Sequence, residues 1–338
     1  MMRNERNPLE TDLLMVTNDE VLPTLNFNRQ YMNNTKLSRI LATRKINMTD
    51  ESFDLKINER VVNLIDIWSD QNITLSNDNI TQYDLAVMDA AYTIMCQGPM
   101  LITPEWILRV MSGNLKQKLS EQKIEEVQAS IRKLQGVRIK VDCTAEYNAF
   151  QLQKGKEPVD CWTYESYLLP LGKIEARYEA NGRLVTAYTV LEKPALYRYA
   201  EMNHQIVDVP AYLLETQSHF SDTDEAVLIK RYVIKRVAQI VKANKLKGNK
   251  ISFLWYDKNE KEQRGLFSEL GYKPERTSAW RKKKGKINDI VKGTLKTLVD
   301  AKAISSFEEY REDGTKNPSS PIAGYKIYYD PKVTVIPT

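Results

Sequence analysis

Residues 276–303 read RTSAWRKKKGKINDIVKGTLKTLVDAKA, and this stretch holds the strongest pattern in the chain. Its apolar side chains recur every three or four positions, at Ile287, Ile290, Val291, Leu295 and Leu298. That spacing places them on one face of an α-helix, which we expect within residues 280–303. The remaining surface is strongly basic from Arg276 to Lys296, where Asp289 is the single acid. The stretch therefore predicts an amphipathic helix with a buried apolar face and a cationic outer face.

Positive charge is concentrated around this helix. The full sequence of 338 residues has 49 Lys and Arg against 44 Asp and Glu, a formal net charge of +5. Residues 230–302 hold 21 Lys and Arg against 7 Asp and Glu, a local +14 that leaves −9 on the rest. A focused basic region on a mildly acidic chain favours a polyanionic partner bound at one place. The alternative is that these residues only solvate helix faces, as charge runs usually do.

The segments around the basic helix predict three helices and a β-hairpin in the order of a winged helix. Ser221 or Asp222 can cap a long first helix. Its predicted apolar face contains Val227, Ile234, Val237 and Val241. We expect a strand at 251–255, a second helix at 262–270, and strands at 304–310 and 325–329 around an Asp313-Gly314 turn.

A similar order begins near Thr81, roughly 140 residues earlier in the chain. Thr81 and Asp84 fit a capping box, Thr103 caps a second helix, and Ser120 caps a third. The apolar faces of the first and third helices are Leu85, Met88, Tyr92 and Met95, and Ile124, Val127, Ile131 and Leu134. Strands are expected at 100–102, 137–147 and 161–169, and on both sides of Asn181-Gly182, a two-residue hairpin signal.

These patterns predict an α+β fold with two tandem winged-helix domains, at 81–195 and 196–338. The first domain has an extended β-hairpin region, and the second is basic and binds DNA. Residues 1–80 are expected to be an N-terminal extension with local structure, a strand at 53–57 and a short helix at 61–68. The stretch 193–210 is interpreted as the connection between the domains, because its two prolines discourage a continuous helix.

The basic helix supplies what DNA recognition requires, namely cations near phosphates and polar side chains that reach base edges. Asn288, Lys292 and Lys296 are spaced by four, so we expect them to share an outer face. The candidate contacts in the second domain are Arg276, Thr277, Ser278, Arg281, Lys282, Lys283, Lys284, Lys286, Asn288, Lys292 and Lys296.

The first domain offers a weaker set of candidate DNA contacts. They are Lys116, Lys118, Gln122, Lys123, Ser130, Lys133, Arg177 and Arg183. Its third helix also carries Glu125 and Glu126, which would repel phosphate. A protein-contact role for that helix therefore fits equally well.

The sequence contains no recognisable catalytic or cofactor motif. Eighteen tyrosines raise the alternatives of base stacking and of a nicking tyrosine, but Tyr in strand-like stretches is typical of half-buried packing. With only His204 and His219, a His-x-His metal site is absent, and no G-x-x-x-x-G-K-[ST] loop occurs. We expect a protein that is not an enzyme and needs no cofactor or metal.

The remaining composition favours an ordinary intracellular chain. Cys96, Cys143 and Cys161 are odd in number and widely spaced, which predicts reduced, partly buried thiols. No apolar run approaches the ~18 residues that span a bilayer, and the first residues lack a signal-peptide pattern. We expect a soluble, cytoplasmic protein without a membrane partner.

The pattern over roughly residues 80–330 resembles the plasmid replication initiator (Rep) proteins with tandem winged-helix domains. The stretches that carry the resemblance are Tyr83–Ala90, Ile102–Pro104, Ile124–Leu134, Asp224–Tyr232, Phe267–Tyr272, Trp280–Lys283, Leu298–Ala301 and Tyr325–Ile327. The long N-terminal stretch and the β region at 161–191 depart from the simplest members of that family.

The resemblance implies binding of repeated origin sites in double-stranded DNA, with the stronger sequence-specific contacts made by the second domain. It also implies a homodimer formed through the first domain, and recruitment of host replication proteins. A transcriptional or partition regulator on the same scaffold is the second hypothesis. A primase-like or nicking enzyme is the third.

Overall fold

The protein is described by a computed structural model. The residues that it describes are 27–43, 51–56, 62–69, 80–98, 101–177, 184–215, 223–243, 249–258, 262–314 and 319–336. The chain forms two compact units, each built from several stretches. Among the described residues, unit 1 draws on the stretches 33–108 and 119–206, and unit 2 on the stretches 27–32, 109–118 and 207–336.

The described residues form a mixed α/β structure with several small antiparallel sheets. Their α-helices are α1 Lys36–Thr43, α2 Gln82–Met95, α3 Pro104–Ser112, α4 Glu121–Gln135, α5 Thr144–Gln153, α6 Ala195–Met202, α7 Asp224–Ala243, α8 Leu266–Glu269 and α9 Ser278–Asp300. Their strands are β1 Arg29–Asn33, β2 Glu51–Lys56, β3 Val62–Ser69, β4 Leu101–Ile102, β5 Val137–Asp142, β6 Thr163–Tyr167, β7 Leu171–Arg177, β8 Leu184–Val190, β9 Ile206–Pro210, β10 Lys250–Ser252, β11 Trp255–Asp257, β12 Glu262–Arg264, β13 Ser306–Arg311 and β14 Ile322–Tyr328.

The three helices expected after Thr81 are present as α2, α3 and α4. The side chain of Thr81 accepts from Asp84 N, and Asp84 accepts from Thr81 N, so the predicted capping box is confirmed. The Ser120 cap of α4 is confirmed as well. Two sheets accompany these helices, one of order β4-β8-β7 and one of order β2-β3-β5-β6.

The four-stranded sheet corrects two predictions. The short helix expected at 61–68 is wrong, because β3 pairs with both β2 and β5 and places Ile65 opposite Phe53 and Val141. A short apolar run fits a helix or a strand equally well, and pairing on both sides decides for the strand. The strand expected at 137–147 ends at Asp142, whose carboxylate accepts from Thr144 N and starts α5.

The stretch interpreted as a connection, 193–210, is regular structure. Helix α6 begins directly after Pro194, and β9 ends at Pro210. Proline is tolerated at the start of a helix because the first helical N–H groups have no partner within the helix. The two prolines therefore bound these elements instead of preventing them.

Unit 2 packs α7 and α9 around one core that also includes Met32 from β1. Its three-stranded sheet has the order β10-β14-β13. The helix expected at 262–270 is wrong over its first half, since residues 262–264 form β12 and pair with β11. Only the single turn α8 remains helical. The proposed caps Ser221 and Asp222 lie outside the described residues.

The two three-stranded sheets share one strand order. In unit 1 the short strand β4 pairs with β8, and β8 pairs with β7. In unit 2 the short strand β10 pairs with β14, and β14 pairs with β13. Unit 1 differs by the insertion of β5, α5 and β6 between its third helix and that final strand pair.

Candidate nucleic-acid interface

Helix α9 is fixed by its apolar face and its first turn. Its buried residues are Ile287, Ile290, Val291, Thr294, Leu295 and Leu298, which confirms the predicted face. The side chain of Thr277 accepts from Trp280 N at 3.1 Å and caps the helix. The rings of Trp280 and Phe267 pack edge to face with their centroids 5.2 Å apart, and this contact anchors the first turn to the core.

The opposite side of α9 carries a group of open cations, which we call the outer cationic face. Its members are Arg281, Lys282, Lys286 and Lys296, all exposed. Within the described residues, no carboxylate forms an ion pair with any of the four. Arg276 and Thr277 just before the helix, and Ser278 at its start, are exposed as well.

Three other lysines of α9 are already paired with carboxylates. Lys283 lies 3.2 Å from Glu225. Lys284 and Lys292 have carboxylate oxygens at 3.1 Å and 3.4 Å. Partly exposed ion pairs of this kind contribute about 0–1 kcal/mol each. A phosphate could therefore replace these carboxylates at little cost, but the lysines are not free in the unbound chain.

One edge of α9 is joined to the β13–β14 hairpin by three polar contacts, which we call the hairpin seam. On the helix the residues are Lys284, Asn288 and Lys292, spaced by four and hence stacked along one edge. Their partners on the hairpin are, in the same order, Glu312, Tyr325 and Glu309.

The seam corrects the expected outer face of Asn288, Lys292 and Lys296. Asn288 and Lys292 point toward the hairpin of their own unit, and Lys296 belongs to the outer cationic face. The spacing of four correctly places these residues near one another on α9, but it does not indicate which side of the helix a neighbouring strand covers. Asn288 is half-buried and Lys292 remains exposed.

Tyr325 forms the buried centre of the seam. Its side chain is fully buried, and its hydroxyl donates to Asn288 Oδ1 at 2.6 Å. The rings of Phe253 and Phe307 pack edge to face with the ring of Tyr325, at centroid distances of 6.1 Å and 5.7 Å. Burial raises the pKa of the Tyr325 phenol, so the hydroxyl stays protonated and donates this hydrogen bond.

Not every cation in the basic stretch of sequence faces solvent. Lys230 and Arg231 of α7 are only 1% and 3% exposed. Lys230 Nζ donates to Leu214 O at 3.0 Å, and Arg231 donates to Met111 O at 3.3 Å. These two side chains therefore bind backbone carbonyls inside unit 2, and they are not part of the exposed cationic surface.

The candidate DNA contacts of the first domain differ in exposure and do not all belong to unit 1. Lys116 and Lys118 are exposed, but their contacts place them in unit 2. Gln122 is exposed and donates to Glu126 at 3.0 Å, and Lys123 is half-buried. The outer surface of α4 is therefore mixed in charge, as the sequence indicates.

Ser130 does not lie on the exposed face of α4, and that prediction is wrong. It is 4% exposed and donates to Asp84 Oδ1 at 2.7 Å. Lys133 is mostly buried and lies 2.9 Å from Asp84 Oδ2. Both side chains therefore tie α4 to α2, because the buried carboxylate needs donors from its neighbours. Arg177 is exposed at the end of β7, and Arg183 lies outside the described residues.

Sequence reasoning missed Tyr325, Glu309 and Glu312 as parts of the site. A signal was present in the alternation of β13, where Phe307 is apolar and Glu309 follows two residues later. Residues two apart in a strand share one face, so the packing of Phe307 against the core predicts that Glu309 lies on the same face of β13.

Two further expectations are a chain without a membrane-spanning helix and a chain without a metal site. No helix among them is both long and apolar enough to cross a bilayer. No three His, Cys, Asp or Glu side chains in that part of the chain are grouped to hold a metal ion. Cys96 and Cys161 are exposed and Cys143 is buried, so the expectation of three partly buried thiols is wrong for two of them.

Comparison with solved structures gives a loose likeness to parts of RctB. No protein-family model matches the chain, and no curated protein matches its sequence. A crystal structure of selenomethionine derivatives of domains 2 and 3 of RctB has a TM-score of 0.43 and 12% identity, covering 86% of this chain and 95% of that chain. A second crystal structure of RctB domains 2–3 has the same TM-score and 13% identity, covering 85% and 93%. A likeness this loose transfers no role, so the function of this chain is inferred from its own residues.

Proposed function

We propose that this chain binds double-stranded DNA sequence-specifically and without catalysis, with α9 entering the major groove. The observation that carries the proposal is the outer cationic face. Its four cations are exposed and have no carboxylate partner among the described residues, and the other side of their helix is fixed in a core. Cations of this kind replace the counterions of the phosphates, and the helix presents side chains to base edges.

We further propose that both units are winged helices. The first support is the order of elements in each unit, which runs helix, short strand, two helices and two longer strands. The second support is the strand order that both three-stranded sheets share. In this arrangement α9 is the recognition helix of unit 2, and the β13–β14 hairpin is its wing.

We also propose that the bound DNA is a set of repeated origin sites of a plasmid or related mobile element, and that the chain recruits host replication proteins there. The support is the pattern resemblance to plasmid replication initiators over most of the chain. A transcriptional or partition regulator would need the same interface, so the distinction lies in the biological effect of binding.

The proposed interface is tested by the double variant Lys282→Ala/Lys286→Ala. Each lysine that contacts a phosphate contributes roughly one unit to the slope of log K against log salt concentration. We expect the variant to bind every duplex more weakly and to lower this slope by about two units. A matched control removes two exposed lysines elsewhere, Lys156 and Lys332.

Equal affinity and equal slope in the two double variants would remove α9 from the interface. For the initiator role, the gene and its flanking DNA are placed on a vector that cannot replicate by itself. Replication that persists after deletion of the gene would overturn that role and leave a regulator.

A further inference from the structure

The amide of Asn288 is held in one orientation by the interior of unit 2. Its Oδ1 accepts the hydroxyl of Tyr325 at 2.6 Å, and Tyr325 is fully buried. The oxygen side of the amide is therefore turned toward the sheet. The nitrogen lies on the other side of the same planar group, and Nδ2 donates to no described residue.

The two ion pairs on either side of Asn288 keep this edge of the helix on the hairpin. Lys284 lies one turn before it and Lys292 one turn after it, at 3.1 Å and 3.4 Å from their carboxylates. Asn288 itself is half-buried, so a side chain at this place has little room to change rotamer. A hydrogen bond and two flanking contacts thus fix which atoms of the amide can meet a ligand.

We propose that Tyr325 positions Asn288 as a hydrogen-bond donor, so that Asn288 selects guanine over adenine in the major groove. This inference rests on the proposed DNA-binding function. An unrestrained Asn favours adenine, because its oxygen accepts from N6 while its nitrogen donates to N7. Guanine presents two acceptors, N7 and O6, and needs no acceptor from the protein.

The test uses the full chain and a pool of randomised duplexes. The preferred duplex of the unmodified chain is selected, and Kd is then measured for all four base pairs at each position. The variants are Tyr325→Phe, which removes only the hydroxyl, and Asn288→Ala. The matched control is Tyr310→Phe, since Tyr310 donates to Ser252 Oγ at 2.6 Å in the same sheet.

We expect one position at which the unmodified chain prefers guanine to adenine and Asn288→Ala has no preference. At that position Tyr325→Phe should lose roughly fivefold of the discrimination, the size expected for one hydrogen bond, and should accept adenine. Tyr310→Phe should keep the preference. The salt slope should stay unchanged in all variants, because none removes a charge.

Three results would overturn the inference. Tyr325→Phe with the unmodified preference for guanine shows that the hydroxyl does not position the amide. Weaker binding of Tyr325→Phe to every duplex, with the base preference intact, shows a purely structural role, and thermal unfolding of both Tyr→Phe variants measures that effect. If the unmodified chain has no preferred duplex, the sequence-specific function fails first, and this inference fails with it.

Discussion

Lys133 Nζ lies 2.9 Å from Asp84 Oδ2, and the side chains are 18% and 3% exposed. The same carboxylate accepts from Ser130 and from the backbone N–H of Thr81. One buried acid therefore joins the start of α2 to the last turns of α4. Such a carboxylate is tolerated only while its donors remain in place.

Replacing this acid should weaken unit 1. We expect Asp84→Ala to lower the free energy of unfolding by about 3 kcal/mol, because the buried hydroxyl of Ser130 and the mostly buried ammonium of Lys133 lose this carboxylate. Urea unfolding measures the change. The control is Glu165→Ala, which removes the partner of Arg138 in a more exposed pair and should cost under about 1 kcal/mol. Equal losses would show that burial of Asp84 adds nothing.

The carboxylates of the hairpin should restrain DNA binding. Glu312 pairs with Lys284 in the unbound chain, and Glu309 pairs with both Lys292 and Arg311. We expect Glu309→Gln/Glu312→Gln to bind any duplex several-fold more tightly and to steepen the salt dependence by roughly one unit for each lysine released.

The neighbouring acid Glu308 provides the control for this experiment. It lies on the same strand, pairs with Lys326 and accepts from Tyr328. Glu308→Gln removes one charge without releasing a lysine of α9, so the salt slope should not change. A double variant that behaves like Glu308→Gln would mean that the seam lysines do not reach phosphates.

Gly285 is expected to separate stability from binding. It is exposed in α9, and a Cβ at this position would meet nothing within 4 Å. Gly285→Ala should therefore raise the free energy of unfolding by about 0.5–1 kcal/mol. Duplex affinity should fall, because the methyl group lies among the outer cations. A variant that is more stable and binds as before would exclude Gly285 from the contact.

The cysteines should report on the folded state of unit 1. Burial raises the pKa of the Cys143 thiol to about 12, whereas Cys96 and Cys161 are exposed. We expect a thiol reagent at neutral pH to modify two cysteines quickly and the third only after unfolding, since the thiolate is the reacting form. Mass spectrometry of the modified peptides identifies them. Rapid labelling of Cys143 in the folded chain would contradict its buried position at the end of β5.

The sequence predicted elements where local signals were complete. The cap at Thr81, the cap at Ser120 and the apolar face of α9 depend on residues within a few positions of one another, and all were confirmed. The strand at 62–69 was missed because it depends on β5, which lies about 70 residues later in the chain. Periodicity within a short apolar run carries no information about such a partner.

The candidate site shows the same division. The amphipathic character of α9 and its cations could be read from spacing alone. The orientation of Asn288 could not, because it is decided by Tyr325, which is 37 residues away in sequence. Ser130 was misplaced for a similar reason, since a small hydroxyl is compatible with solvent or with a buried acid.

Unit 2 draws Met32, a fully buried side chain, from a part of the chain far upstream of residue 207. A gene fragment that begins at that residue would encode α7, α9 and the hairpin without β1 or residues 109–118. We expect such a truncated product to aggregate during expression, although it contains the whole of α9. Workable expression boundaries for this protein should therefore follow spatial neighbours, and a soluble fragment should require the upstream segments to be supplied as well.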